Sequence, residues 1–339
     1  MEIIERHGLD PKWSRGWNAS CKNFHKWRDI YEKLTINELE HYVRHGETLA
    51  AEEFRRKTRA DNASIPPVSK WESYFLRNEL SMYAQMRLGE LEIDGVAGAS
   101  LNSSLALRAF AAIYTLQMIE LLAHHLNQIR YPNNFSPKLS LDYAPYTALG
   151  VVIGCEKQAF DLARLQLSSY RKRLYEDAAY QYYPAYHFVL RILADFLKER
   201  PHVLSAEALF DPIYRTMFDL WRNPDANALV AVCLAACDYH LQPRIVGRQK
   251  EFHDFLGDWA SWNRTPIEIL LMFKLRQLLG LSNPDIDHPL MNTPLGVLPE
   301  EIPFDDLAKG PDDLIYRVRQ RLIQDGYDEQ QIFTTCYQA

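Results

Sequence analysis

Cysteine is scarce in this sequence, and so is every feature that would announce a redox, exported or membrane-embedded protein. Of 339 residues only five are cysteine: Cys21, Cys155, Cys233, Cys237 and Cys336. The number is odd, the positions are scattered and no Cys-x-x-Cys occurs, which argues against a disulfide framework and against a structural zinc site. Cys233 and Cys237 stand one helical turn apart in an apolar stretch, where thiols usually serve as small buried hydrophobes. Charges enter immediately in Met1-Glu2-Ile3-Ile4-Glu5-Arg6-His7, without the continuous apolar stretch of a secretory signal. The longest charge-free apolar runs, Tyr143 to Cys155 and Ala226 to Cys237, fall short of the roughly 20 residues that span a bilayer. The expectation is a cytoplasmic protein with reduced thiols and no membrane segment.

Catalytic signatures are missing too. No Gly-x-x-x-x-Gly-Lys-Ser/Thr, Gly-x-Gly-x-x-Gly, Gly-x-Ser-x-Gly or His-Glu-x-x-His occurs, so nothing signals a phosphate-binding loop, a nucleophile elbow or a zinc-protease helix. No enzyme activity and no cofactor are expected. The candidates for chemistry are weak. Glu120-x-x-x-His124-His125 and His41-x-x-x-His45 each put two ligand-type side chains one turn apart on a helix, but two ligands do not make a metal site. His253-Asp254 is the dipeptide at the centre of the all-helical HD phosphohydrolases, with His240 upstream and Asp258, Asp285 or Asp287 downstream. Here it sits in a stretch that reads as a helix. Asp305-Asp306-Leu307-Ala308-Lys309 lacks the closing aspartate of a terpene-synthase motif.

What is present is helical periodicity. Phe160, Ala163, Leu167, Tyr170 and Leu174 recur at three- and four-residue spacing, and Tyr186, Val189, Leu190, Leu193, Phe196 and Leu197 do the same. No run alternates with period two between hairpin turns, so a sheet of any size is not expected. Four prolines precede strongly apolar stretches, Pro145, Pro184, Pro224 and Pro266, spaced 39, 40 and 42 residues apart. Proline suits a first helical position, where its missing N–H has no intrahelical partner. A more amphipathic stretch follows each, at about 156–173, 205–221, 248–262 and 311–325. The fold class is therefore all-α: stacked antiparallel helix pairs, either HEAT/TPR-like or an irregular helical assembly. The less regular form is favoured, because 18 prolines leave room for chance alignment.

The amino-terminal part reads differently. Thr35-Ile36-Asn37-Glu38 has the pattern of a capping box and is read as opening a helix that carries Leu39, Val43, Ala50 and Phe54. A breaker cluster lies at 61–67. A second helix is expected from Val68 to Leu88, ending near Gly89, and a long apolar helix from Ser100 to Arg130 stops at Tyr131-Pro132-Asn133-Asn134. This divides the chain into residues 1–135, an amino-terminal helical region, and 136–339, a helix-pair region.

Two stretches suggest binding. Tyr175, Tyr180, Tyr182, Tyr183, Tyr186 and His187 form a tyrosine-rich run that suits an interface and equally suits packing between helices. Residues 281–310 form a long loop rich in proline and acid. Between Asp285 and Asp313 eight acidic residues face a single base, Lys309, while the rest of the chain holds 37 bases and 36 acids. Nucleic-acid binding would need the opposite sign, whereas this patch suits a basic protein partner. Ile286, Leu290, Met291, Leu295, Val297, Leu298 and Phe304 are expected to anchor the loop on the helical body. Loops of such length inside compact domains are commonly functional. The candidate contacts are Asp285, Asp287, Glu300, Glu301, Asp305 and Asp306.

The run Pro266-Ile267-Glu268-Ile269-Leu270, Leu275-Arg276, Leu279-Gly280-Leu281, then Asn283-Pro284-Asp285-Ile286-Asp287-His288-Pro289-Leu290-Met291, Thr293-Pro294-Leu295-Gly296 and Leu298-Pro299 resembles the carboxy-terminal part of helical immunity proteins of bacterial type VI secretion and polymorphic toxin systems. The resemblance covers about the last quarter of the chain; the middle shares only a helix-pair texture. It implies a non-enzymatic antitoxin that binds a cognate secreted effector, in some relatives a nuclease, and blocks its active site or assembly. It transfers no individual contact residue, and it leaves a homodimer open. A helical-repeat adaptor for extended peptides and an HD-type metal phosphohydrolase are the alternatives.

Overall fold

The structure, a computed structural model, describes residues 11–61, 69–94, 100–101, 103–130, 143–172, 174–175, 184–199, 211–240, 244–246, 250–252, 262, 264–309, 313–330 and 333–334. Among these the protein is all-α. Its helices are α1 (Pro11–His45), α2 (Leu49–Asp61), α3 (Ser69–Asp94), α4 (Ser104–Arg130), α5 (Ala144–Val152), α6 (Glu156–Arg171), α7 (Pro184–Phe196), α8 (Pro212–Leu220), α9 (Val230–His240), α10 (Ile267–Leu278) and α11 (Leu314–Gln324). Short 3₁₀ turns occupy Ala226–Leu229, Pro294–Gly296 and Phe304–Lys309. The described strands, β1 (Arg244–Val246) and β2 (Lys250–Phe252), pair antiparallel as a small ribbon with Ile245 opposite Glu251.

Two strongly apolar helices lie at the centre. All nine residues of α5 are buried, as are the first ten of α10, including Glu268, Lys274 and Arg276. α5 packs against α4, α6, α7 and α10, and α11 closes over α1 and α4. Buried apolar side chains on both sides of residues 131–142 belong to one continuous core, from Leu39 and Leu80 to Leu149, Leu270 and Ile315. The stretch Ser104–Leu121 of α4 is long and apolar enough to cross a membrane, but 78% of it is buried against the rest of the protein, as expected of a core helix.

Several expected helix limits shift, each for an identifiable reason. Thr35 does not cap a helix; it lies inside α1, is buried, and donates its hydroxyl to Glu79 of α3. The chain breaks later, at Gly46, whose φ of +78° suits glycine. Thr48 then caps α2, its hydroxyl accepting from the Ala51 N–H at 3.2 Å, while Glu38 accepts from the Ala50 N–H at 3.1 Å. Nor does Gly89 end α3, which runs on to Asp94. Glycine is needed there because a Cβ would lie 2.1 Å from the buried Phe24 ring of α1. Gly150 admits Phe110 in the same way, at 2.3 Å. Gly89→Ala should therefore destabilise the protein by about 1–3 kcal/mol, although helix propensity alone favours alanine by about 1 kcal/mol. A higher melting temperature for the variant would show that the ring is free to move aside.

The helix-pair pattern holds in parts. Pro145 falls in the first turn of α5 and Pro184 opens α7. Pro266 occupies the cap position of α10, and Asp225, just after Pro224, caps the 3₁₀ turn leading into α9. The expected second helices at 156–173 and 311–325 match α6 and α11. The one at 205–221 is described as α8, capped by Asp211, with 201–210 outside the described residues. The one at 248–262 is corrected at its start: residues 250–252 are extended and pair with Arg244–Val246, where β-branched Ile245 and Val246 favour a strand, while 253–261 lie outside the described residues.

Candidate partner-binding segment

The carboxy-terminal turn of α10 launches the acidic segment. Gly280 takes a φ of +72°, the Leu281 N–H donates to the Arg276 carbonyl at 2.9 Å, and the helix ends in a left-handed glycine cap. Arg276 is fully buried and has no carboxylate partner among the described residues. Its guanidinium donates instead to main-chain carbonyls: Trp221 at 2.5 Å, Asn223 at 3.0 Å, and Ser282 through both Nε at 3.2 Å and Nη2 at 2.5 Å. Trp221 follows α8, so the cation also meets the negative end of that helix. Asn283 continues the clamp by donating to the Phe273 carbonyl at 3.1 Å.

Beyond the clamp, apolar side chains fix the loop. Ile286, Leu290, Met291 and Leu295 are buried, and Leu298 and Phe304 pack on the core. Val297 is the exception, 59% exposed. Gly296 sits so close to the backbone of Leu290 and Met291 that a Cβ would be 2.6 Å from both. Further on, the Ile302 N–H donates to the Ile153 carbonyl at 2.7 Å, and the buried Cys155 thiol donates to the Ile302 carbonyl at 3.4 Å. Phe304 meets Phe110 and Tyr114 edge-on.

The candidate acids divide by what holds them. Asp285, Asp287, Glu300, Glu301 and Asp305 are exposed, and Asp306 is half-buried. Asp287 accepts from Asn292 at 3.0 Å. Glu301 pairs with Lys274 at 2.8 Å, and that ammonium, which also reaches Glu156 at 3.6 Å, holds the Glu301 carboxyl below its usual range. Asp285 and Asp287 lie in the stretch joined to α9 through His288 and Asp238, 3.3 Å apart, whereas Glu300 to Asp306 run past the α5–α6 turn. Asp313, the last acid of the patch, is buried: it caps α11 and pairs with Arg108 at 2.6 Å.

Other candidates divide between engaged side chains and residues outside those described. His41 has both ring nitrogens engaged, Nδ1 with the Glu47 carbonyl at 2.8 Å and Nε2 with Glu52 at 3.3 Å. The side chains of His124 and His125 lie outside those described, as do His253, Asp254 and Asp258. Among the described residues no three His, Cys, Asp or Glu side chains could hold a metal ion. Tyr175, Tyr186 and His187 are buried, with Tyr170 and His187 hydrogen-bonded at 3.1 Å, so the described members of that cluster serve packing. Tyr180, Tyr182 and Tyr183 lie outside the described residues. Cys233 and Cys237 are buried, and burial pushes the Cys233 thiol up to about 12, which removes it as a nucleophile.

A buried polar assembly, by contrast, carries no sequence signal. His240 of α9 is fully buried between Glu268 of α10, 2.9 Å from Nδ1, and the carbonyl of Trp262, 2.7 Å from Nε2. A carbonyl only accepts, so Nε2 carries a proton. Nδ1 faces the Glu268 carboxyl at hydrogen-bond distance, so a second proton lies between the two groups and links them. Trp262 has a φ of +65°, a strained value for a bulky residue. Beside it Glu92 of α3, also buried, accepts from the Arg264 N–H at 2.7 Å and from the Thr265 hydroxyl.

The fold and the segment together define a class: an all-α body that presents an apolar-anchored acidic loop. Comparison with protein-family models, with curated proteins and with solved structures finds no match.

Proposed function

We propose that this protein is an antitoxin that acts in the cytoplasm, binding a cognate secreted toxin with a basic surface, such as a nuclease, and blocking its active site or assembly. One observation carries the reading. Exposed carboxylates are displayed on a segment that lacks regular secondary structure beyond two 3₁₀ turns, yet is fixed by buried side chains and by Arg276. A surface ordered before binding loses little conformational entropy on association. Clustered charge of one sign speeds encounter with a partner of the opposite sign and selects against others. Nuclease faces are basic because they bind phosphate backbones.

The test has two parts. Expression of the toxin encoded beside this gene should kill cells unless this protein is present, and the purified pair should form a stable complex. Exchanging Asp285, Glu300 and Asp305 together for lysine should then weaken that complex by at least about a hundredfold while leaving the melting temperature close to that of the parent. Unchanged affinity would remove the acidic segment from the interface, and lack of protection would end the antitoxin reading.

A further inference from the structure

Helix α1 presents an apolar cluster to solvent. It buries Phe24, Trp27, Thr35, Leu39 and Tyr42, yet leaves Ile30, Tyr31 and Leu34 at 51%, 41% and 56% exposure. Among the described residues no other helix exposes three large apolar side chains within five positions. Scattered exposed hydrophobics are ordinary, whereas a cluster rimmed by polar groups marks a contact surface. The rim here is basic. Lys26 and Lys33 stand four before and three after Ile30, on the same side of the helix, and both are exposed without a carboxylate partner among the described residues. Nearby acids are already taken: Asp29 lies 3.6 Å from Arg28, Glu32 pairs with Arg87 at 2.6 Å, and Glu38 accepts from the Ala50 N–H at 3.1 Å.

The acidic segment has the complementary character. Val297 is 59% exposed, and Glu300, which follows it closely, is exposed as well. Asp285, Glu300 and Asp305 have no cation partner among the described residues, unlike Glu301, which Lys274 holds. One surface thus offers ammoniums around isoleucine and leucine, the other carboxylates around valine. Within one chain the two sets do not pair, and a second copy supplies what each lacks.

We infer that the exposed face of α1 docks the acidic segment of a second copy of this chain, with Ile30 and Leu34 against Val297 and with Lys26 and Lys33 facing its carboxylates. The two surfaces differ, so the contact is head-to-tail. Its apolar centre is small, which suits a reversible contact and not an obligate one, and opposite charges supply the selectivity. Self-association stands on these surfaces alone. That it withholds the acids until a toxin competes for them rests on the antitoxin reading.

Sedimentation velocity on the full chain tests the contact. The weight-average coefficient should rise with concentration in about 50 mM salt and fall to the monomer value in about 500 mM. One variant carries Lys26→Glu and Lys33→Glu, another Asp285→Lys, Glu300→Lys and Asp305→Lys. Each should stay monomeric alone, with a melting temperature close to that of the parent, because all five positions are exposed. An equimolar mixture of the two should assemble again, since every junction then joins opposite charges. Leu34→Gln should weaken association at least about tenfold although both lysines remain. A parent that is monomeric at every concentration, variants that assemble alone as the parent does, or a mixture of folded variants that stays monomeric would overturn the inference. So would a monomeric parent that sediments with phosphatidylserine vesicles, which assigns the face to a lipid surface. Self-association without protection of cells ends the antitoxin reading and leaves the contact standing; protection by a strictly monomeric chain does the reverse.

Discussion

Replacing Arg276 with methionine is expected to lower stability by about 3 kcal/mol and the melting temperature by roughly 5–10 °C. Methionine fills much of the volume but donates nothing, so the carbonyls of Trp221, Asn223 and Ser282 lose the donor that now holds them together. Each buried acceptor left without a partner costs about 1–3 kcal/mol. Arg276→Lys should fall between, because one ammonium cannot match a planar fork that serves three carbonyls. The effect should also reach the acidic segment. Ser282 sits at its start, so amide exchange across 281–288 should quicken, and affinity for a basic partner should drop although no carboxylate has been removed. If only global stability changes while exchange at 281–288 stays slow, the apolar anchors alone hold the segment.

The second large effect concerns pH. Burial pushes Glu92 up to about 7 and Glu120 also to about 7, from an ordinary 4.5; Arg77, 3.5 Å from Glu120, and the hydrogen bonds to Glu92 offset this only in part. Below about 4.5 both carboxyls are protonated whether the chain is folded or unfolded. Between 4.5 and 7 the folded protein holds protons that the unfolded chain has released, so stability falls as pH rises through that interval. Each carboxyl accounts for up to about 3 kcal/mol. His240 adds to the trend. Burial is the largest single effect and opposes its charge, but Glu268, the Trp262 carbonyl and Glu92 together raise its pKa, so its stabilisation is full below 6.5 and disappears as pH climbs through the raised value. The melting temperature should therefore be higher near pH 5.5 than at pH 8. Glu92→Gln and Glu120→Gln should each flatten that slope. Arg77, the partner of Glu120, stands 15 residues from Glu92 along α3, about 22 Å at 1.5 Å per residue, so the two effects should add. A melting temperature that rises from pH 5.5 to 8, or a slope untouched by Glu92→Gln, would exclude this account.

Apolar periodicity made the all-α class and the central helices legible, because α5 is apolar on every face and α10 is apolar but for Glu268, Lys274, Arg276 and Gln277. The anchors of the acidic segment were legible for the same reason: Ile286, Leu290, Met291 and Leu295 interrupt a polar stretch and are buried. Local signals misled where a distant contact decides the outcome. Thr35 and Glu38 have capping-box spacing, but their partners are Glu79 and the Ala50 N–H. Gly89 resembles a helix stop, but Phe24 needs its bare backbone. The buried assembly of Glu92, Thr265, His240, Glu268 and Trp262 had no readable pattern, since Glu92 bonds to Thr265, 173 positions away.

Many residues on which the family resemblance rests have structural work in this fold. Glu268 balances His240, Arg276 and Gly280 end α10, and Gly296 permits a backbone crossing. Of the candidate contacts, Asp285 and Asp287 belong to that run, whereas Glu300, Glu301, Asp305 and Asp306 follow it.

α11 is bound to α1 by an Arg317–Glu40 fork, a Tyr42–Asp325 hydrogen bond, and the approach of Arg321 to Gly46. Glu40 and Arg317 are 277 residues apart in sequence, and α11 leaves the ribosome after every other described helix. The flank of α1 that α11 covers thus stays open through most of synthesis. A nascent chain halted before α11 would expose that flank to chaperones and proteases.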